Sequence, residues 1–266
     1  MNLNDAAPGS LAENYERYLG PLFFEPYAQN LAKRIAQSVD SVLELACGTG
    51  RLTKYLLEKL SDNSEIIATD LNSDMLDVAK TVINDPRVKW QLADAQNLPF
   101  QEKTFDLVAC QFGFMFFADK RKALSEVYRV LKRNGTFLFN TWDEVKYNAI
   151  SCITEEVFTE IYGDESPSFS TRGPYSYFNV DEIFNQCQQA GFSDIKFDIV
   201  SIVSEGAAAD NIIKGLVHGS PLTKYILERD FSIENIERKL HAKLSAYFNS
   251  SKNTHSMQAL VFTGIK

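Results

Sequence analysis

The sequence predicts a doubly wound α/β fold, in which helices cover both faces of a mostly parallel sheet. Short β-branched or apolar runs alternate with amphipathic helical stretches between residues 41 and 142, and such alternation produces parallel strands joined by crossover helices. A second observation is the glycine turn "ACGTGR" at 46–51, which lies between the first strand and its helix. Doubly wound folds bind nucleotide-like ligands at such a turn, so the sequence also predicts where a ligand binds.

Seven segments carry strand signals and follow one another along the chain. They span residues 41–47, 65–69, 88–93, 105–111, 136–142, 195–203 and 257–264. Helical periodicity fills three of the gaps, at 51–60, 73–83 and 119–132, where apolar residues recur on one helix face. Mostly helical sequence, including "SIENIERKLHAKLSAYF", separates the last two strands. We therefore expect a seven-stranded sheet with additional helices.

Composition and charge narrow the class of protein. With 266 residues, of which 45% are hydrophobic and 23% charged, the chain has the composition of a soluble globular protein. A net charge of −8 weighs against a nucleic-acid partner, because phosphate backbones are bound by clustered Lys and Arg. No apolar run reaches the roughly 18 residues of a membrane helix, and the polar, acidic start of the chain lacks the features of a secretory signal. We expect no membrane span.

The four cysteines are Cys47, Cys110, Cys152 and Cys187. They lie far apart and form no CxxC pair, a pattern that favours reduced, mostly buried thiols over a disulfide or a metal site. The cysteines therefore predict a cytoplasmic protein without a bound metal.

The glycine turn indicates an adenosine ligand. Gly48 and Gly50 allow backbone amides to approach a ligand that side chains would block. Asp70 ends the second strand, 20 residues after Gly50, and an acidic residue at that distance suits a ribose diol. The alternative is a tight turn without a ligand and an aspartate that caps a helix, which the register of Asp70 disfavours.

Two residues distinguish among adenosine ligands. A dinucleotide fingerprint needs a third glycine where this chain has Thr53, and the turn also lacks the Gly-Lys-Ser/Thr of a P-loop. The carboxylate of Glu44, just before the turn, would repel a pyrophosphate but would attract an ammonium or sulfonium cation. S-adenosylmethionine carries both cations, so the sequence favours it over a nicotinamide dinucleotide.

Five segments resemble successive motifs of the class I S-adenosylmethionine-dependent methyltransferases. They are "VLELACGTGRLTKYL", "IIATDLNSDMLDVA", "LADAQNLPFQEKTFDLVACQFGFMFF", "ALSEVYRVLKRNGTFLFNTW" and "DEIFNQCQQAGFSDIKF". The closest likeness is to the branch that includes ubiquinone and menaquinone biosynthesis methyltransferases. The resemblance implies a Rossmann-like methyltransferase fold, with a doubly wound, mostly parallel seven-stranded sheet, an antiparallel last strand and a helical cap. It also implies S-adenosyl-L-methionine as the cofactor.

This resemblance assigns a set of cofactor-binding residues. They are Tyr18, Glu44, Ala46, Gly48, Gly50, Asp70, Leu71, Met75, Asp94, Ala95, Gln111 and Phe112. Glu44 would lie near the methionine amino group, Asp70 would bind the ribose hydroxyls, and the backbone carbonyl of Gln111 would lie beside the ammonium. Two departures from the family pattern are Ala46, where glycine is common, and "RNG" in place of Pro-Gly-Gly before the fifth strand. Asn134 and Gly135 still suit a turn that needs positive φ.

The adenine contacts are expected from four of these residues. Leu71 and Met75 would sandwich the ring, while Asp94 and Ala95 would bind its amino group and ring nitrogen. By themselves, Leu71 and Met75 would more often be core residues, and Asp94 would more often cap a turn.

Acceptor recognition is expected outside the cofactor core. The predicted substrate and lid residues are Tyr15, Phe114, Trp142 and Tyr177. Phenylalanines crowd the end of the fourth strand, and one or two of them should line the pocket, because aromatic faces stabilise cations by about 0.5–2 kcal/mol. The predicted acceptor is a small, partly hydrophobic molecule. Whether O, N or C is methylated, and whether the protein is a monomer or a homodimer, stays open.

We expect one methyltransferase domain over residues 1–266. Its predicted parts are an N-terminal helical lid at 1–40, a cofactor core at 41–143, cap insertions at 144–178 and 205–255, and a closing helix and strands at 179–204 and 256–266. Tyr15 and Tyr18 are the lid candidates.

Methyl transfer needs few catalytic side chains, because the sulfonium is already activated and the protein mainly has to position the acceptor. His218, His241 and His255 are more simply explained as structural or exposed residues, and His218 is the single catalytic candidate. Two further hypotheses stay open: a regulator or scaffold that binds S-adenosylmethionine without methylating, and a nicotinamide-dependent oxidoreductase.

Overall fold

The computed structural model describes residues 9–36, 38–168, 173–205 and 208–266. Their contacts divide into two compact units. The sheet unit comprises Tyr27–Trp142, Tyr177–Val200 and Ala259–Lys266, and the helical unit comprises Met1–Pro26, Asp143–Ser176 and Ser201–Gln258. The segments predicted as cap insertions therefore fall mainly in the helical unit. The predicted division of one domain into lid, core and cap stays a prediction.

Seven strands form one sheet in the order β3-β2-β1-β4-β5-β7-β6. Their bounds are Ser41–Leu45 (β1), Glu65–Asp70 (β2), Val88–Leu92 (β3), Phe105–Gln111 (β4), Leu131–Trp142 (β5), Ser193–Glu205 (β6) and Thr254–Ile265 (β7). Strand β1 pairs in parallel with β2 and β4, and β7 pairs antiparallel with β5. The predicted fold class, including the antiparallel last strand, is confirmed.

Five α-helices accompany the sheet unit. They are α2 (Glu25–Lys33), α3 (Arg51–Lys59), α4 (Ser73–Val82), α5 (Lys120–Val130) and α7 (Val180–Ala190), and a short 3₁₀ turn at Phe114–Phe116 follows β4. Asn72, Asp119 and Asn179 cap α4, α5 and α7, because each side chain accepts a backbone amide of the first turn. The helices predicted at 51–60, 73–83 and 119–132 are confirmed within a residue or two.

The described part of the helical unit contains further helices. They are α1 (Leu11–Asn14), a π-helix (Tyr15–Phe24), α6 (Ala149–Tyr162), α8 (Ala209–His218), α9 (Pro221–Glu228) and α10 (Ile233–Ser250), with 3₁₀ turns at Val145–Tyr147 and Gly163–Glu165. A ten-residue π-helix is unusual, since most are single-turn bulges. It packs closely on α8: a Cβ added to Gly215 would lie 2.5 Å from Leu19 Cδ2.

The central strands are buried on both faces, as expected of a parallel sheet covered by helices. In β1 every residue after Ser41 is buried. The core around it includes Leu52 and Leu56 of α3 and Leu31 of α2. This burial explains why the strand reads as a nearly continuous apolar run, and it makes the one carboxyl group within it, Glu44, exceptional.

The turn before the fifth strand differs in extent from the prediction. Strand β5 begins at Leu131 instead of residue 136, because its pairing with β4 continues across an irregularity between Phe105 and Leu107. Asn134 has φ +62°, which confirms the expected positive φ. A Cβ on Gly135 would lie 2.9 Å from the carbonyl oxygen of Lys132, so close backbone approach requires glycine there.

Within the part of the chain that the structure describes, no helix combines the length and apolarity that a membrane crossing requires. Cys47, Cys110 and Cys187 are buried thiols. Burial raises the pKa of Cys110 and of Cys187 to about 12 and that of Cys47 well above its usual value. These thiols are therefore protonated and unreactive at neutral pH.

Candidate active site at the carboxyl ends of the strands

The turn after β1 is built from left-handed backbone. Ala46, Gly48 and Gly50 have φ of +50°, +55° and +88°. A Cβ at Gly48 would meet no described atom within 4 Å, whereas a Cβ at Gly50 would lie 2.8 Å from Ile83 Cδ1. Gly48 therefore leaves backbone open to a ligand, while Gly50 is also required by packing.

Asp70, the last residue of β2, is tied to this turn. Its Oδ2 accepts the amide hydrogen of Gly48 at 2.9 Å, and its Oδ1 accepts that of Asn72 at 2.8 Å. Burial raises the pKa of this half-buried carboxyl group. Each carboxylate oxygen has a second lone pair, so Asp70 can still accept hydroxyl hydrogens while it holds the turn.

Glu44 supplies a buried carboxyl group beneath the same turn. The residue is 1% exposed, and its Oε2 accepts the hydroxyl hydrogen of Thr53 at 2.6 Å. Burial raises its pKa to about 8, and the nearby charge of Asp70 contributes to the rise. With this pKa the carboxyl group is mostly protonated at neutral pH, and a cation beside it would favour the ionised form.

Thr53 has a role that the sequence did not predict. Its position had served only to rule out a dinucleotide fingerprint, but its hydroxyl is the side-chain partner of Glu44. The signal in the sequence was the spacing of nine residues from β1 to the first turn of α3, which brings both side chains to the same end of the sheet.

A second left-handed turn follows β4, beside the first. Phe112 has φ +50°, a conformation that costs an L-residue about 1–2 kcal/mol. Its ring stacks on Trp142 with the centroids 3.9 Å apart, and Tyr27 meets it edge-on at 5.2 Å. Gly113 then passes so close to Ala46 that an added Cβ would lie 2.4 Å from the Ala46 Cβ. The two turns are in direct contact.

The predicted adenine residues lie at the ends of β2 and β3. Leu71 is 70% exposed, Met75 is half-buried and Ala95 is buried. Asp94 Oδ1 accepts the backbone amide of Gln96 at 2.8 Å, and this bond lowers its pKa. Asp94 therefore caps a turn, and its contact with adenine stays a prediction, as do those of the other three.

The predicted substrate residues of the sheet unit are packed against other rings. Phe114 is fully buried between Phe139 and Tyr177, and the Tyr177 hydroxyl donates to Gln186 Oε1 at 2.7 Å. Trp142 stacks on Phe112. Packing accounts for all three residues, so their contact with an acceptor stays a prediction.

Tyr15 and Tyr18 lie in the π-helix of the helical unit. Tyr15 stacks on Phe24 at 5.0 Å, and Arg17 and Lys214 approach the ring of Tyr18 at 5.3 Å and 5.9 Å. Their predicted roles as lid and cofactor residues are not tested by these contacts.

The three histidines also lie in the helical unit. His218 ends α8, and its Nε2 lies 2.9 Å from Glu237 Oε1. His255 is buried against Phe23 and Phe248, and burial lowers its pKa to about 4. His241 is exposed near Asp210. The contact of His218 with Glu237 suits a structural role.

Comparison with known proteins supplies independent evidence. Residues 43–139 match the family described as Methyltransferase domain. The demethylmenaquinone methyltransferase of Lactiplantibacillus plantarum is 29% identical over 217 residues, which are 75% of this chain and 90% of that protein. The ubiquinone/menaquinone biosynthesis C-methyltransferase of Xylella fastidiosa is 35% identical over 130 residues, which are 47% of this chain and 48% of that protein.

Among solved structures, phosphoethanolamine N-methyltransferase 2 of Haemonchus contortus, in complex with phosphomonomethylethanolamine and S-adenosylhomocysteine, superimposes with a TM-score of 0.63 at 19% identity. The match covers 99% of this chain and 60% of that one. The aligned part of this chain spans about half the length of the Xylella relative. The likeness to the solved structure, at 19% identity, establishes the fold alone.

Proposed function

Because the chain is a class I S-adenosylmethionine-dependent methyltransferase that resembles the ubiquinone and menaquinone branch, we propose that it methylates a small, partly hydrophobic acceptor. The main support for this proposal is that the carboxyl group of Glu44 is buried beneath a glycine turn that is open at Gly48. Burial raises its pKa to about 8, and a cation bound beside it would offset the cost of ionising the buried group. S-adenosylmethionine presents two cations on an adenosine.

The other residues of the turn fit the rest of this cofactor. Gly48 leaves room for close approach, and Asp70 keeps lone pairs for the ribose hydroxyls while it holds Gly48. Leu71, exposed directly after Asp70, offers an apolar surface for adenine. The twelve cofactor-binding assignments made from the sequence are part of this proposal.

When bound, the cofactor supplies an activated methyl group for in-line displacement. The chain's residues would hold and orient it: Glu44 and the Gln111 carbonyl would bind the ammonium, and Asp70 would bind the ribose hydroxyls. Phe112 and Trp142, stacked and almost fully buried, keep water away from the ends of β4 and β5. Correct positioning of two reactants can supply roughly 7–11 kcal/mol of the barrier.

We propose a quinol-like aromatic compound as the first acceptor class to examine. Its support is the names of the curated relatives, which refer to demethylmenaquinone and to ubiquinone and menaquinone biosynthesis. A phenol carbon or oxygen would need to lose a proton, so a base would matter for such an acceptor.

We further propose that the helical unit recognises the acceptor and that its N-terminal segment, with Tyr15 and Tyr18, acts as a lid. Support comes from the compactness of this unit, in which the π-helix packs on α8. A cytoplasmic location is also part of the proposal, because free thiols are typical of reducing compartments.

Release of S-adenosylhomocysteine tests the proposal. Purified protein would be incubated with S-adenosylmethionine and a panel of quinols, phenols, amines and fatty acids, alongside the Asp70→Ala and Asp74→Ala variants. We expect release with at least one quinol or phenol, loss of release in Asp70→Ala and retention in Asp74→Ala. Tight cofactor binding without turnover on any acceptor would support a non-catalytic binding protein instead.

A further inference from the structure

Asn140 is a buried polar residue near the end of β5 that the sequence analysis did not single out. It is fully buried and pairs in register with Gln111, the last residue of β4. Its Oδ1 accepts the backbone amide hydrogen of Phe112 at 2.9 Å. Because that partner is a donor, the accepting atom must be the amide oxygen of Asn140, which fixes the orientation of its side chain.

This hydrogen bond controls more than the amide of Phe112. The N–H of Phe112 and the C=O of Gln111 belong to one peptide unit, and the described part of the chain contains no cis peptide. In a planar trans peptide these two groups point in opposite directions. Strand β4 lies between β1 and β5. An N–H held by a side chain of β5 therefore turns the carbonyl of Gln111 toward the β1 side.

The β1 side is where the buried carboxyl group of the site lies. Glu44 of β1 is in register with Ala109 of β4, two residues before Gln111. The glycine turn after β1 is in contact with the turn after β4, through Ala46 and Gly113. A carbonyl dipole that points to this side adds to the negative field that Glu44 has when it is ionised. Both groups then favour a cation at the same place.

The conformation at Phe112 also depends on Asn140. The φ of +50° at Phe112 is strained for an aromatic residue, so the surrounding contacts must hold the backbone in this conformation. The stack on Trp142 fixes the ring, and the bond to Asn140 fixes the backbone. The Nδ2 of Asn140, although buried, bonds to no described residue. Tertiary packing alone would more readily place an apolar residue there, which points to a role for the amide.

We propose that Asn140 is the positioning residue for the methionine ammonium of the cofactor, acting through the peptide between Gln111 and Phe112. This inference rests on the proposed function, because that function supplies the ammonium. Asn140 itself does not contact the reacting atoms. Its effect is to preset the direction of the Gln111 carbonyl before the ligand arrives.

The binding of two ligands distinguishes the positioning role of Asn140 from a role in packing alone. S-adenosylhomocysteine carries the ammonium, and 5′-methylthioadenosine has the same adenosine and thioether but no amino-acid group. Their dissociation constants would be measured by calorimetry for the wild type and for Asn140→Leu, Asn140→Asp and the control Asn148→Leu. Asn148 is a buried asparagine of the helical unit whose bonds to Gln258 and Glu144 lie outside the proposed cofactor site.

We expect Asn140→Leu to raise the dissociation constant of S-adenosylhomocysteine by roughly tenfold or more and to change that of 5′-methylthioadenosine by less than about twofold. Asn140→Asp keeps an oxygen acceptor for Phe112 and should retain the preference for the ligand with the ammonium. Asn148→Leu should leave the ratio of the two constants unchanged. If Asn140→Leu does not fold, Asn140→Ser takes its place, because its short side chain cannot reach the Phe112 amide.

Equal weakening of both ligands by Asn140→Leu would assign Asn140 to packing and overturn the inference, as would no weakening of either. A loss of the preference in Asn140→Asp would also contradict it. Failure of the wild type to bind either ligand is a different result: it would overturn the proposed function first, and this inference with it.

Discussion

Thr53 donates its hydroxyl hydrogen to the buried carboxyl group of Glu44 at 2.6 Å. The pair joins the first turn of α3 to the centre of β1, and it lies beneath a glycine turn that is open above Gly48. Burial raises the pKa of Glu44 to about 8, while the bond from Thr53 opposes that rise. Without a ligand Glu44 is therefore mostly protonated at neutral pH, and both the bond from Thr53 and a bound cation favour its ionised form.

The ligand-free protein should lose stability as the pH rises. Glu44 has a raised pKa in the folded state, so the native protein holds a proton that the unfolded chain has already released. Its contribution to the free energy of unfolding is present in full below pH 4.5 and is lost as the pH passes about 8. Asp70, also raised, acts in the same direction. Denaturant unfolding of wild type and Glu44→Gln at several pH values measures this, and a variant with the wild-type slope would contradict the assignment.

Removal of the Thr53 hydroxyl should shift ligand binding to higher pH. Thr53→Val takes away a bond that lowers the pKa of Glu44, so less of the carboxyl group is ionised at pH 7. We expect S-adenosylhomocysteine to bind about tenfold more weakly, with partial recovery at higher pH. Thr69→Val is the control, because Thr69 bonds to the backbone carbonyl of Glu44 instead of its carboxyl group. Identical pH profiles for Thr53→Val and wild type would refute the coupling.

Asp70→Ala should weaken the binding free energy of S-adenosylhomocysteine by about 2–4 kcal/mol, since hydrogen bonds to charged groups contribute about 1.5–3 kcal/mol each. Stability should also fall, because Asp70 accepts the amides of Gly48 and Asn72 in addition to any ribose hydroxyl. Calorimetry and thermal unfolding measure the two effects. Asp74→Ala, at an exposed position nearby, should change neither, and normal binding by Asp70→Ala would show that the ribose residue is misassigned.

Gly48→Ala should mainly weaken ligand binding, whereas Gly50→Ala should cause the larger loss of stability. Gly48→Ala meets open space, so we expect a stability loss of about 1–2 kcal/mol from its positive φ and at least about tenfold weaker ligand binding. Gly50→Ala adds a clash with Ile83 to the same strain and should lower the melting temperature further. Normal ligand binding by Gly48→Ala would mean that the ligand does not approach this backbone.

Much of the sheet unit could be predicted from sequence because its signals are local. Short β-branched or apolar runs marked the strands, and the structure has Asp70 at the end of β2 and the glycine turn directly after β1, as expected. Asn134 was expected to adopt positive φ, and it does. These features depend on neighbours in the chain, so a pattern is enough to find them.

The missed features depend on contacts across the sheet. Asn140 is a polar residue in the apolar run "FLFNTW", a signal that could have been noticed, but its partner Phe112 comes from another strand. Asp70 was expected only as a ribose ligand, whereas the structure shows it half-buried and accepting two backbone amides, one of them from Gly48 in the turn after β1. The π-helix at Tyr15–Phe24 contains Gly20 and Pro21, which disfavour the interior of a regular α-helix, and this signal was missed.

Calorimetry of the purified protein with S-adenosylmethionine, S-adenosylhomocysteine and NAD tests directly which class of adenosine ligand the glycine turn binds. The buried Glu44 favours a cationic ligand, and Thr53 occupies the position that a dinucleotide turn reserves for glycine. We expect both S-adenosyl ligands to bind at one site per chain and NAD not to compete with them. Tighter binding of NAD than of S-adenosylhomocysteine would contradict it.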